Sequence, residues 1–184
     1  MWRSSALSAQ ICTLRQVTVL AGAFWVICLV LVAAGATKLL DPAALAGVLG
    51  QLRVPLAAKE RSARNIARLI GWVELLLGFG GLVAAGTVLA VAIAAVYVGF
   101  SVLLIAARRA SLTSCGCFGS RSGPPSRLHV AINLGSACVA ATAAAFGVPA
   151  VADGFSGNLM TNAVLLVCVL LGTIGILFLE TKHG

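Results

Sequence analysis

Charge is scarce in this chain. Only 10% of its 184 residues are charged, and five acidic side chains stand against thirteen Lys and Arg. Soluble domains carry roughly 25% charged residues, so this composition excludes an ordinary soluble domain and points to a chain that lives in lipid. Histidine and methionine are also rare, at two each. A closed zinc site built on a cysteine pair would need two further ligands, and His129 and His183 are the only histidines on offer. With Met1 and Met160 the only methionines, there is no methionine-rich path for copper. A net charge of +8 would suggest nucleic acid in a soluble protein. Here the cations lie beside apolar runs, where anionic lipid and the rules of membrane insertion account for them.

What is abundant is apolar. The chain is 60% hydrophobic with a mean hydropathy of +1.06. A transmembrane helix needs about 20 apolar residues, and five runs approach that length: 17–35, 69–85, 88–107, 128–148 and 159–179. The first, third and fifth are uncharged, the second contains Glu74, and the fourth contains His129 near its start. Backbone in hydrocarbon must satisfy its own hydrogen bonds, so these runs are read as helices. The expected fold is all-α, a polytopic membrane helical bundle with five transmembrane helices. The run 17–35 exceeds the usual apolar region of a signal peptide and is read as a retained helix. Residues 1–16 read as a loose, polar-mixed tail, and 149–184 as a loop and the fifth helix.

The connections carry most of the polar residues. Asp41-Pro42 marks a helix start, and "PAALAGVLGQL" reads as a short interfacial helix halted near Pro55. "KERSARNIAR" is a basic lead into the second span, and Gly86-Thr87 is all that separates the second span from the third. Five spans place the first long loop, the loop over 108–127 and the C-terminus on one face. That face holds every Lys and Arg except Arg3 and Arg15, so the positive-inside rule makes it cytoplasmic.

The loop over 108–127 contains the most suggestive chemistry, "SCGCFGSRSG". A disulfide between Cys115 and Cys117 would close a small, strained ring, and Gly116 is the residue most tolerant of the dihedrals required. Strained disulfides exchange readily. Arg108, Arg109, Arg121 and Arg127 make the loop electropositive, which favours thiolate. The pair therefore reads as a dithiol exchange site, with a soft-metal site and a chemically idle turn as the alternatives. Cys28, Cys138 and Cys168 lie inside spans, where packing is the default reading, and a relay from Cys28 or Cys138 to the pair is a further option.

Glu74 is the second signal, because a carboxylate in hydrocarbon is expensive unless it is paired or functional. It stands in a series with Gly71, Gly78, Gly81 and Ala85 at three- and four-residue steps, the pattern of a helix–helix contact face. Glu74 should thus point into the bundle, and Lys38, leaving the first span on the same face, is its expected partner. His129 and Asn133, four apart, stack on one side of the fourth span. Lys38, Glu74, Cys115, Cys117, His129 and Asn133 could line one pocket. The plainer reading is snorkelling for Lys38 and His129 and a structural hydrogen bond for Asn133.

Together, "AAGATKLLDPAALAGVL", "LIGWVELLLGFGGL", "CGCFG" and "RLHVAINL" resemble the MauE methylamine-utilisation family, part of a wider DoxX-like group of small membrane proteins. The resemblance covers 17–148, and CGCFG ahead of a helix bearing an Asn is its most specific element. It implies a four-helix DoxX-like core plus one C-terminal helix, in a multi-pass protein of a bacterial membrane. It also implies a role in maturing methylamine dehydrogenase, a client enzyme with disulfides, alongside a thioredoxin-like redox partner. Cys115 and Cys117 would be the redox pair; Lys38, Asp41, Glu74 and Asn133 match family positions without assigned roles. The resulting expectation is thiol–disulfide exchange by Cys115 and Cys117, with Glu74 as the group to handle the proton and no metal or other cofactor. Two alternatives stand beside it. One is a membrane scaffold that docks a soluble enzyme through the basic loops; the other is a quinone-like pocket with Glu74 and Asn133 as polar contacts.

Overall fold

The computed structural model describes residues 2–84, 86–116, 124–154, 166–167, 169–176 and 178; of residues 2–18, 152 and 154 only the backbone is described. The bounded α-helices follow in order: α1 (Trp2–Leu40), α2 (Pro42–Gln51), α3 (Glu60–Val83), α4 (Thr87–Arg109), α5 (Arg127–Phe146) and the short α6 (Val151–Gly154). Among the described residues there is no strand. Among the described residues, four helices are long and apolar enough to cross a membrane, namely Val19–Leu40 within α1, α3, α4 and α5.

Two boundaries differ from the sequence reading. The expected tail over 1–16 is helical from Trp2, because no Pro or Gly interrupts the chain before Gly22 and its Ala, Leu, Gln and Arg favour helix. α3 begins at Glu60, so the basic lead forms the first turns of the helix. Of the fifth expected span, 159–179, residues 159–165, 168, 177 and 179 lie outside the described residues. Its described part is helical, and a Cβ on Gly172 would stand 3.1 Å from Val26 of α1.

α1 packs chiefly on α3, and α4 on α5. The small residues expected on the second span make the first of these contacts. A Cβ on Gly35 would lie 2.6 Å from the Gly71 carbonyl oxygen, and one on Gly78 would lie 2.7 Å from the Cys28 carbonyl oxygen. The two backbones therefore touch, as glycine faces permit in membranes. A branched side chain at Gly78 must push them apart. Gly78→Val is expected to destabilise the bundle by about 1–3 kcal/mol, measured as unfolding in detergent micelles. Gly99→Ala, with nothing within 4 Å of the added Cβ, should leave it unchanged.

The core joins α1, α4 and α5: Phe24, Trp25 and Leu31 meet Ile93 and Tyr97 over the alanine face of Ala137, Ala140 and Ala143. The Tyr97 hydroxyl donates to the Ile27 carbonyl at 2.7 Å, so the ring's polar end is satisfied inside the bundle. Outward-facing side chains such as Leu69, Trp72, Leu76 and Phe79 are large, apolar and exposed, as a lipid-facing surface requires. α2 lies against α3, burying Leu45, Ala46 and Leu49 on Ala57, Ala63 and Ala67. The alternation of spans brings the end of α1, all of α2, the start of α3 and the α4–α5 connection to one end of the bundle. The site residues gather there.

Candidate functional site

Cys115 stands just beyond α4, whose last turn carries Arg108 and Arg109. The cysteine is buried, packed on Leu104 of α4 with Val130 of α5 beside it. Gly116 follows at φ +68 and donates its N–H to the Ser114 hydroxyl at 3.2 Å. A Cβ there would lie 2.8 Å from the Leu45 Cα and 3.1 Å from its nitrogen. The Cys115-Gly116 backbone is therefore pressed against the backbone of α2, at a conformation and a distance that both demand glycine. Sequence pattern shows the first demand through "CGC" and gives no signal of the second. Cys117 lies outside the described residues.

The expected Lys38 and Glu74 stand together. Lys38 Nζ donates to Glu74 Oε1 at 2.7 Å and Oε2 at 2.9 Å, and reaches the Ala34 carbonyl at 3.4 Å. Lys38 is 1% exposed and Glu74 0%. The contact exists because Gly35 and Gly71 let α1 and α3 approach so closely that the lysine can fold back into the interface. The ammonium also sits 4.9 Å from the centre of the Phe100 ring, an apolar lid with a favourable quadrupole. Phe100 is a site residue that the sequence concealed, since it is one apolar side chain among many on α4.

His129 and Asn133 form a separate arrangement at the start of α5. The Ser126 hydroxyl accepts from the His129 N–H at 3.2 Å, and His129 Nδ1 accepts from the Ser126 N–H at 3.4 Å, a reciprocal cap on the helix. Asn133 Nδ2 donates to the His129 carbonyl at 2.9 Å. Both side chains are buried. The cap was readable as Ser-x-x-His ahead of an apolar run, with His in the place that Glu or Gln usually takes.

α4 connects these groups. Phe100 covers the ion pair and Leu104, one turn later and about 6 Å along the axis, covers Cys115. The remaining cysteines differ. Cys28 is a free thiol buried beside Gly81. Cys138 is a free thiol exposed on the outside of α5, so for it the packing reading does not hold. Its neighbours along the helix explain this: the alanine face at 137, 140 and 143 turns inward and turns Cys138 to lipid. Cys168 lies outside the described residues, and of Cys12 only the backbone is described.

The model of the family described as "Methylamine utilisation protein MauE" matches residues 16–147, from within α1 to the end of α5. The chain belongs to the MauE family. No curated protein and no solved structure gives a match. The matched region of this MauE chain includes α2, the Lys38–Glu74 pair, the CGC loop and the His129 cap, so every group gathered at this end of the bundle falls within it.

Proposed function

We propose that this MauE chain is a membrane thiol–disulfide exchange protein, with Cys115 and Cys117 as its working pair. The observation that carries the reading is the seating of Cys115-Gly116 under α2, in a connection flanked along the chain by the exposed Arg108, Arg109 and Arg127. The glycine wedged against the helix backbone holds Cys115 in a fixed, sheltered position, which supports a working thiol protected from stray oxidants.

The exchange balances without a cofactor. The thiolate of one cysteine attacks a sulfur of a client disulfide, forming a mixed disulfide and expelling the client's other sulfur as thiolate. The second cysteine then attacks the mixed disulfide. The client leaves as a dithiol, having gained the two electrons that the chain has lost, and the Cys115–Cys117 disulfide remains. A thioredoxin-like dithiol on the same face returns the pair to its reduced form and itself becomes a disulfide. The basic rim supports the cytoplasmic face of a bacterial cell membrane as the site of this traffic. The family's description supports methylamine utilisation as the pathway this exchange would serve.

Maleimide labelling tests the side and the chemistry together. The chain carries alanine at positions 12, 28, 138 and 168, leaving Cys115 and Cys117 alone. A maleimide that cannot cross membranes should label nothing in intact cells and both cysteines once the cells are opened and reduced, with oxidant protecting them. Labelling in intact cells would overturn the cytoplasmic placement. Labelling that oxidant fails to block would overturn the exchange pair and leave a scaffold.

A further inference from the structure

The first turns of α3 carry a groove of about 480 Å³ lined by Glu60, Arg61, Arg64, Asn65 and Arg68. Three guanidiniums there face one carboxylate, and that carboxylate is spent on Arg64 in an exposed ion pair of 2.7 Å. Among the described residues, Arg61 and Arg68 have no acidic partner, and both are exposed. At 100° per residue, positions 61, 65, 68, 72, 76 and 79 fall on one face of the helix. Its lower part is Trp72, Leu76 and Phe79, each more than half exposed at 54%, 65% and 61%. Ala63, Ala67, Gly71 and Gly78 occupy the opposite, buried face. One continuous outer stripe thus begins cationic and continues as a broad apolar track.

The length of α3 fixes where the change from cationic to apolar falls. From Leu69 to Val83 the helix covers roughly 21 Å, less than the ~30 Å thickness of a hydrocarbon core. A span this short draws its flanking residues to the acyl boundary, where lipid phosphates lie. Arg68 sits one turn above Trp72, and Arg61 about 10 Å further up the axis.

We propose that this stripe is a binding site for one anionic phospholipid. Arg61 and Arg68 hold the headgroup phosphate, with Asn65 between them, and an acyl chain lies along Trp72, Leu76 and Phe79. An acidic protein face would use the groove and leave the apolar track below it unused. A lipid uses both, and that decides between them. Phosphatidylglycerol is the probe, because its headgroup keeps a full negative charge that phosphatidylcholine lacks.

Trp72 reports occupancy directly. The full chain in phosphatidylcholine nanodiscs is titrated with phosphatidylglycerol carrying brominated chains, and the Trp72 signal is isolated by subtracting the Trp72→Phe variant. Quenching should half-saturate at a mole fraction on the order of twenty-fold lower than with brominated phosphatidylcholine. Arg61→Gln/Arg68→Gln should bring the two curves together. Its unchanged phosphatidylcholine curve would show that the variant is folded. Excess inorganic phosphate should not shift the phosphatidylglycerol curve. Equal quenching by both lipids, or a preference indifferent to the arginines, would overturn the site. Displacement by phosphate would make it a site for free anions, and arginine-dependent capture of a soluble acidic protein with equal lipid curves would make it a protein surface. Either would also overturn the lipid proposal.

Discussion

Lys38→Met is expected to cost about 3–5 kcal/mol of bundle stability, the largest loss for any single side chain here. The variant leaves the Glu74 carboxylate, 0% exposed, without the ammonium that holds both of its oxygens at 2.7 and 2.9 Å. Breaking a buried ion pair from one side strands a charge and costs that much, whereas replacing both partners by apolar groups of similar size is often neutral. Lys38→Met/Glu74→Leu should therefore recover most of the loss. Phe100→Leu, which removes the ring 4.9 Å from Nζ, should cost about 0.5–2 kcal/mol. Unfolding of the parent chain, Lys38→Met, Glu74→Leu and Lys38→Met/Glu74→Leu in detergent micelles, set out as a double-mutant cycle, measures the coupling. Single variants as stable as the parent chain would mean that the pair does not hold α1 to α3.

The second large effect is expected at Gly116. Valine there must adopt φ near +68 and place its Cβ 2.8 Å from the Leu45 Cα. Neither strain can be relieved within the loop, since the clash is with helix backbone, so α2 must lift away. Cys115, buried beneath that contact, should then react with maleimide at least about ten times faster in the reduced protein, as exposure and thiolate character set cysteine reactivity. Gly47→Ala in α2, where an added Cβ meets nothing within 4 Å, is the matched control and should react at the parent rate. Equal rates for Gly116→Val and the parent chain would show that α2 does not shelter the cysteine.

Much of this end of the molecule was legible from one-dimensional pattern. The three- and four-residue steps of Gly71, Glu74 and Gly78 specify a contact face, and a lone carboxylate on that face requires a cation, which left Lys38 as the neighbour in reach. Asp41-Pro42 marked the start of α2 for reasons of backbone geometry alone. What pattern could not show is contact between segments that are far apart in sequence. Nothing in "PAALAGVLGQL" says that its Leu45 backbone rests on Gly116, and nothing in an apolar helix singles out Phe100. The length of α1 was missed for a different reason. Hydropathy marks where lipid begins, while helix continues wherever no Gly or Pro stops it, here back to Trp2. Cys138 was missed because an alanine-rich helix buries its smallest face, which leaves the larger side chains to lipid.

Trapping the mixed disulfide tests exchange most directly. Chains with alanine at positions 12, 28, 138 and 168 and a single Cys115→Ser or Cys117→Ser change retain the attacking thiol in one case and the resolving thiol in the other. Exchange predicts that the variant keeping the attacking cysteine accumulates a covalent adduct with a disulfide-bearing client protein in cells. That adduct is seen as a larger species on non-reducing gels, is released by reductant, and is absent when both cysteines are serine. If neither single variant forms an adduct, and the Cys115/Cys117 pair stays reduced under oxidant, the exchange function is wrong.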